Sequence, residues 1–465
     1  MPADTISVSS STSCHGFVEV YSDATLWKNA ECASDSKEWT NALEILFSGI
    51  PCDILKNVEA ICASGTSASC VLVNKKTGQP TRGGIARMYN YDVISSSCPS
   101  SSDFGMQAMK KLNKFAPTSH TATARTSSLA KLLSWNEEEG LMKEDEILAH
   151  QADYLLLYLT TTGMEQNSYE VISDWHNCLK LGYDVRNLEW PQWLKECLLS
   201  CGIEPDSVLP KKVTSPGTNI GPISRVLSER FGINPEAQIV TATTDSNAAF
   251  FAAAGTKPTF GTAVTSLGST LAMKVLSKSF CEDSQLGVYS HRFPLFSKNT
   301  DGQGEAWLVG GASNSGCAVL RKLEFSNEEL VELSSNIDWS INSSLNYYPL
   351  CDRGERFPVA DSDKEPSLEP VPKSREEFLH GILQGITNIE VQGFSTLGDL
   401  GMEPKLPKSV LTCGGGSKNL GWQKMRQRKL SELAELRELP QVKVSRAIST
   451  EASFGAAILA AVNNT

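Results

Sequence analysis

Ile239-Val240-Thr241-Ala242-Thr243-Thr244-Asp245-Ser246-Asn247-Ala248-Ala249-Phe250-Phe251 reads as a short strand running without a loop into a helix of small residues. The apolar pair Ile239-Val240 supplies the strand core, small polar residues follow at once, and Ala248 to Phe251 resumes the apolar pattern. An acid sits at the junction. It has two readings that the residues alone leave equal. Asp245 caps the helix, or it accepts a proton at a strand end, as moving phosphate onto an alcohol requires.

Outward from this stretch the alternation continues. Phe17-Val18-Glu19-Val20-Tyr21 alternates as a strand does, and Ile61-Cys62-Ala63 and Cys70-Val71-Leu72-Val73 flank the turn-prone Ser64-Gly65-Thr66-Ser67. Lys75-Lys76-Thr77-Gly78 is a further turn, and Tyr154 to Leu159 is a short buried run. Strand-like and helix-like segments in alternation predict an α/β fold class. Ser326 with Glu329 and Ser374 with Glu377 have capping-box spacing. Behind the second, Phe378, Ile382, Ile386 and Ile389 make a core-facing stripe. The acidic, Pro-rich stretch Asp361 to Pro372 and the segment Phe296 to Glu305 read as surface loops. A chain of 465 residues exceeds one compact core. The composition change at Gly255-Thr256-Lys257-Pro258 divides it into domains 1–254 and 255–465.

The bulk numbers exclude some partners. Acidic side chains number 53 and basic ones 42, for a formal charge of -11, which disfavours nucleic acid as a partner. No stretch approaches the ~20 apolar residues of a membrane span. The 13 cysteines are odd in number and include no Cys-x-x-Cys, so free thiols in a reducing compartment are expected. The opening, rich in Ser and Thr, holds no Arg or Lys before Cys14, unlike a transit peptide. A cytoplasmic protein is expected, or a plastid one if a transit peptide lies outside this chain. The oligomeric state is not legible.

Four segments share one design, a short apolar strand followed by a turn of Gly, Ser and Thr. They are Ala263 to Thr270, Trp307 to Gly316, Val410 to Asn419, and Val442 to Gly455. Turns without bulky side chains let a phosphate approach backbone N–H groups. Singly, each is more often plain turn chemistry; four together point to a nucleotide site. None matches Gly-x-x-x-x-Gly-Lys-Ser/Thr or Gly-x-Gly-x-x-Gly, which disfavours the P-loop and dinucleotide classes.

Taken as an ordered set, these segments resemble the FGGY carbohydrate kinases, and within them the plant and cyanobacterial kinases acting on D-ribulose. The resemblance is carried by Ser64 to Ala68, Ser173-Asp174-Trp175-His176-Asn177 with Leu181 to Asp184, and Thr243 to Ser246. It continues through Thr265 to Ala272, Gly287 to Arg292, Leu308 to Gly316, Gly354-Glu355-Arg356-Phe357-Pro358, Phe378 to Ile382, Gly414 to Asn419 with Trp422, and Thr450 to Gly455. It implies a two-domain actin/hexokinase-like (ribonuclease H-like) fold with a central cleft, the N-terminal domain binding sugar and the C-terminal domain binding nucleotide, with the last helix, 450–465, packing back on the N-terminal domain. It implies ATP-dependent phosphorylation of a ketopentose, D-ribulose favoured and D-xylulose next, with ATP and Mg²⁺ as cofactors. By the same resemblance Asp245 is the catalytic base and a metal ligand. Ser266, Gly268, Ser269 and Thr270 form a phosphate turn. Gly310 and Gly311 line the nucleotide side, Gly414, Gly415 and Asn419 form the adenosine motif, and Trp422 stacks on the base. The alternative for Trp422 is core packing. Gly65, Thr66, Ser67, Asp174 and Asn177 would meet the sugar.

The resemblance departs at the start. Such kinases open with a strand and hairpin of the type Asp-x-Gly-Thr-Ser-x-x-Arg, whose acid helps hold Mg²⁺, and nothing of the kind precedes Gly16. The first strand is expected to be missing, through an incomplete or alternatively started chain. The other reading is a catalytically impaired nucleotide- and sugar-binding protein of the same fold. Leu159 to Tyr169 is also longer and more polar than the resemblance implies. A chaperone-like or cytoskeletal ATPase fits the motifs poorly.

Overall fold

The structure, a computed structural model, describes residues 13–94, 99–118, 120–139, 145–294 and 305–462. The loop expected over Phe296 to Glu305 lies outside them apart from Glu305. The chain forms two units. One runs to Thr256 and resumes at Glu451; the other is Lys257–Thr450.

In the first unit, β1 (Ser13–Cys14) and β2 (Phe17–Val18) make a two-residue antiparallel hairpin. The strand expected over Phe17 to Tyr21 is thus only two residues long. An alternating pattern forms a ladder only where a partner strand supplies its hydrogen bonds, and Val20 stays exposed. Next come α1 (Ser36–Gly49), β3 (Ala60–Gly65) and β4 (Cys70–Asn74). Although one short turn separates β3 from β4, they do not pair with each other. β3 runs parallel to β9 (Gln238–Thr244), which also pairs antiparallel with β8 (Asn219–Pro222), while β4 pairs antiparallel with β5 (Glu146–His150). The chain leaves β3 through Ala68, which sits in the left-handed region at φ +65°.

Helices α2 (Pro99–Phe115) and α3 (Ser128–Glu139) bury Leu112, Leu129 and Leu132 against β4. The buried run Tyr154 to Leu159 is part of α4 (Gln151–Thr161), whose Leu156 and Leu159 share a core with Ile239 and Ala242 of β9. β6 (Ile172–Asp174) pairs parallel with β7 (Lys212–Thr214) and leads into the short α5 (Trp175–Cys178). After β9 the chain enters α6 (Asp245–Ala254). The last helix, Ala452–Val462, packs on α6 and β3. Gly455 permits the approach, since a Cβ there would lie 1.8 Å from the Ala248 carbonyl oxygen.

The second unit is built on a six-stranded sheet, ordered β12-β13-β11-β10-β14-β15. Its strands are β10 (Thr262–Leu267), β11 (Leu271–Ser277), β12 (Tyr289–Arg292), β13 (Trp307–Ser313), β14 (Ser409–Cys413) and β15 (Lys443–Arg446). β10, β14 and β15 run parallel, and β11 to β13 join as antiparallel neighbours. The helices are α7 (Ala318–Lys322), α8 (Asn327–Asn336), α9 (Arg375–Asp399) and α10 (Leu420–Leu436). The Ser326 and Ser374 hydroxyls accept the Glu329 and Glu377 amides at 3.1 and 3.2 Å, so α8 and α9 start where their caps predict. The stripe Phe378, Ile382, Ile386 and Ile389 is buried. A fully buried pair ties α9 to α10: the Arg426 guanidinium donates to both Glu390 oxygens at 2.6 Å and to Thr412 Oγ1 of β14 at 2.7 Å. Asp361 to Pro372 is a largely exposed loop. The cysteines among the described residues are free, and no described helix is long and apolar enough to cross a membrane.

Candidate functional site

Three of the singled-out segments meet in the first unit at the ends of β3, β6 and β9. The β3–β9 register sets Gly65 opposite Thr244, so Asp245 opens α6 directly beside the Ser64–Ala68 turn. Gly65 is tightly confined, with a Cβ there falling 2.9 Å from the Ala152 amide nitrogen of α4. His176 of the Ser173–Asn177 segment shares a 2.7 Å hydrogen bond with Thr243 Oγ1. The motif thereby reaches the residues just before Asp245. His176 went unassigned in the sequence, where only its place inside a quoted segment signalled it.

Asp245 is half-buried, and its Oδ1 accepts the Ser246 amide at 2.7 Å. Thr66 commits both its amide and its hydroxyl to Gln151 Oε1, at 3.0 and 3.1 Å, while Ser67 remains partly exposed beside it. Among the described residues, the buried atoms Thr244 Oγ1 and Asn177 Oδ1 have no hydrogen-bond partner. Buried polar atoms left in this state are uncommon, and a water or ligand group ordinarily completes them.

Asp174 is not placed to touch a sugar directly. It is 0 % exposed and caps α5, accepting the His176 and Asn177 amides at 2.8 and 3.1 Å and the Asn177 side-chain amide at 2.6 Å. Asn177 is buried with it. Both therefore sit behind the turn, a correction to the expected sugar contacts, because the N-cap geometry turns the carboxylate inward. Behind them Asp153 accepts from Ser173 at 2.9 Å and bonds His150 Nδ1 at 2.8 Å, and His150 Nε2 bonds Ser128 Oγ at 3.0 Å. This buried chain fixes the segment from below.

Burial, and then the neighbouring Asp153 carboxylate, push Asp174 up to about 8 against the lowering by its three donors. The sign follows from linkage. The folded state holds a proton that the unfolded carboxylate has already lost, so this stabilising contribution is complete below about pH 4 and disappears as pH rises to about 8. Asp174→Asn removes the ionisation and keeps the capping oxygen, and Asn177 Oδ1 is at hand to accept the new amide. The variant's melting temperature is expected to gain on the wild type steadily from pH 5 to pH 8, by ~2 °C or more at the upper end. A gap that stays constant or narrows over that range contradicts the assignment.

In the second unit, three of the four glycine-rich turns come together at one end of the sheet. Cys317 and Ala318 donate their amides to the Gly268 and Ser269 carbonyls at 2.9 and 3.1 Å. A Cβ on Gly316 would lie 2.5 Å from the Ser269 carbonyl oxygen, and one on Gly414, at φ +81°, 2.6 Å from that of Leu267. The fold demands these glycines. Gly268 and Gly415 differ: a Cβ on Gly268 would find its nearest atoms at 3.6 and 3.7 Å, and one on Gly415 nothing within 4 Å. Gly414, Gly415, Ser269 and Thr270 are exposed, and Ser266 and Gly268 partly so. Arg321 of α7 donates to Ser269 Oγ at 2.7 Å and brings a cation to the cluster. No sequence pattern singles Arg321 out; its only signal is a basic residue on the helix behind the second turn. Glu355 braces that turn from below, accepting the Ser313 hydroxyl at 2.5 Å and the Asn314 amide at 2.7 Å. The fourth segment stands apart, β15 belonging to the second unit and Glu451 onward to the first.

Other expected nucleotide contacts are corrected. Gly310 and Gly311 are buried inside β13, where a Cβ would lie 2.4 Å from the Met273 carbonyl oxygen or 2.8 Å from the Phe357 ring. They are packing glycines and line no surface. Asn419 caps α10, accepting the Trp422 amide at 2.9 Å, and its amide group donates to Ser334 Oγ at 2.8 Å. Trp422 is only 1 % exposed, its Nε1 donating to Thr387 Oγ1 at 2.8 Å, so its ring face is core and not a stacking platform. Trp422→Phe is expected to destabilise the protein by about 1–3 kcal/mol through the lost hydrogen bond to Thr387 and the lost contacts. ATP affinity should stay within ~2-fold, because the buried ring presents no face to a ligand and phenylalanine keeps most of its packing beneath the turn. Weakened ATP binding at unchanged melting temperature would restore the stacking role.

No family model matches the sequence. Among solved structures, the chain is similar to ligand-bound xylulose kinase from Lactobacillus acidophilus, with TM-score 0.69 and 15% identity over 95% of this chain and 84% of that one. It is similar to xylulose kinase from Bifidobacterium adolescentis, with TM-score 0.68 and 17% identity over 97% and 88%. Glycerol kinase from Plasmodium falciparum with ADP gives TM-score 0.67 and 16% identity over 92% and 81%. The chain has the two-domain actin/hexokinase-like fold of these sugar kinases.

Proposed function

We propose that the protein transfers the γ-phosphoryl group of ATP to a ketopentose, D-ribulose foremost and D-xylulose next. The observation that carries this reading is the pair of turn glycines, Gly268 and Gly415, that the fold does not require. Glycine lowers stability unless something needs the missing side chain, and a triphosphate approaching backbone N–H groups is such a need. Arg321 beside Ser269 supplies charge of the right sign. The likeness to sugar kinases, one of them with ADP, supports the same reading.

Asp245 takes the proton of the attacking sugar hydroxyl, from a strand end where it is half-buried and accepts the Ser246 amide. Gly65, Thr66 and Ser67 form the adjoining wall for the sugar, with Asp174 and Asn177 supporting it from behind. The Asp245 carboxylate would hold Mg²⁺, the remaining positions being left to phosphate oxygens and water, and the ion would neutralise phosphate charge.

Gly268→Ala tests the nucleotide half. The methyl group has room in the fold, so the melting temperature should hold. It would stand where a phosphate must come close, and ATP affinity, read by calorimetry, should fall ~10-fold or more, as for the loss of one good charge-assisted contact. Unchanged affinity removes the phosphate turn from the proposal.

A further inference from the structure

The turn between β3 and β4 is gripped from below by a lysine for which the chemistry above has no use. Lys131 of α3 is 0 % exposed, and its ammonium donates to the Ala68 carbonyl at 2.8 Å and the Met88 carbonyl at 2.7 Å. Arg87, itself buried, donates to the Lys131 carbonyl at 2.9 Å and fixes the helix end of the clamp. Burial, helped by Lys180 and Arg87 and opposed by Cys70, brings the lysine down to about 8, so the ammonium is still the main form at neutral pH. Burying that charge against carbonyl oxygens is expensive, and an apolar chain of similar length would fill the space at less cost.

What the clamp secures is a strained residue. Ala68 is at φ +65°, a conformation that costs a residue with a Cβ about 1–2 kcal/mol. A second clamp, Gln151 on α4, takes the Thr66 amide and hydroxyl of the same turn. Two polar devices from two helices, the buried Lys131 and the partly buried Gln151, thus converge on the turn that carries Ser67.

We propose that Lys131 is a positioning residue for the sugar: by holding Ala68 left-handed it presets the Thr66–Ser67 turn for the substrate hydroxyls. This rests on the kinase reading above. Lys131→Met is expected to raise KM for the ketopentose ~10-fold, a displaced turn misplacing its hydroxyl contacts, while KM for ATP and kcat stay within ~2-fold. Ala68→Gly in that background should recover most of the loss, because glycine adopts a positive φ without strain. A purely structural lysine would not be rescued in this way. Parallel rises in both KM values, or no recovery in the double variant, overturn the proposal. Should Lys131→Met fail to fold, Gln151→Leu releases the same turn from α4 and must show the same split between the two KM values; its absence counts equally against the proposal. If the wild type phosphorylates no ketopentose, the kinase reading fails on its own. The clamp is then judged by hydrogen exchange: the Ser69 and Cys70 amides should exchange ~10-fold faster in Lys131→Met, or in Gln151→Leu if Lys131→Met does not fold. Equal exchange sinks the clamp itself.

Discussion

Asp245→Ala is expected to lower ketopentose phosphorylation by about 10²–10⁴-fold, the range a positioned general base contributes, while ATP affinity changes by ~2-fold or less. The asymmetry follows from where the residue stands. Asp245 belongs to the first unit and accepts the amide that follows it, whereas the glycine turns and Arg321 belong to the second. Removing the carboxylate therefore leaves the proposed phosphate contacts in place and deletes the proton acceptor. Helix capping gives the opposite pattern. Were Asp245 only a cap, its removal would cost about 0.5–2 kcal/mol of stability and little rate. The two readings that the sequence left equal are separated by measuring turnover and melting temperature on one variant. The structure already weakens the capping reading, since Thr244 occupies the N-cap position and Asp245 is the first helical residue.

The largest stability effect is expected at Arg426. Its guanidinium and the Glu390 carboxylate are each 1 % exposed, and the pair links α9, α10 and β14. Arg426→Met strands a buried carboxylate and should cost about 3–5 kcal/mol. Arg426→Met/Glu390→Leu removes both charges, and much of the loss should return, because a buried pair yields little net stability over apolar side chains of similar volume. Denaturant unfolding of the three proteins checks this. A double variant no more stable than the single one would mean that the hydrogen bond to Thr412, and not the uncompensated charge, carries the effect.

The fold was legible where local chemistry dictates local structure. Ser326 and Ser374 announced their helices through cap spacing, and the stripe from Phe378 to Ile389 announced its buried face. The strand-to-helix junction at Asp245 was likewise visible, because a seven-residue strand and a small-residue helix meet with no loop between them. Pairing was not legible. β3 and β4 flank one turn in sequence but belong to different ladders, a choice made by long-range partners and by the left-handed Ala68.

At the site, sequence reasoning named segments that the fold brings together and misjudged the burial of individual side chains. A glycine needed for packing and a glycine kept free for a ligand are the same letter; only the distance a Cβ would have to its neighbours separates Gly311 from Gly268. Trp422 and Asp174 failed for a related reason, since exposure depends on the neighbours that fold over a residue. His176 and Arg321 were missed because their partners, Thr243 and Ser269, lie far away in the chain.

The central claim is that ATP is consumed only to phosphorylate a sugar. Coupled ADP release by the purified protein, with Mg²⁺ and each of D-ribulose, D-xylulose and no sugar, tests it most directly. Release that depends on a ketopentose, fastest with D-ribulose and matched by sugar phosphate, is the predicted result. ADP release at the same rate with and without every ketopentose, or none under any condition, would contradict it.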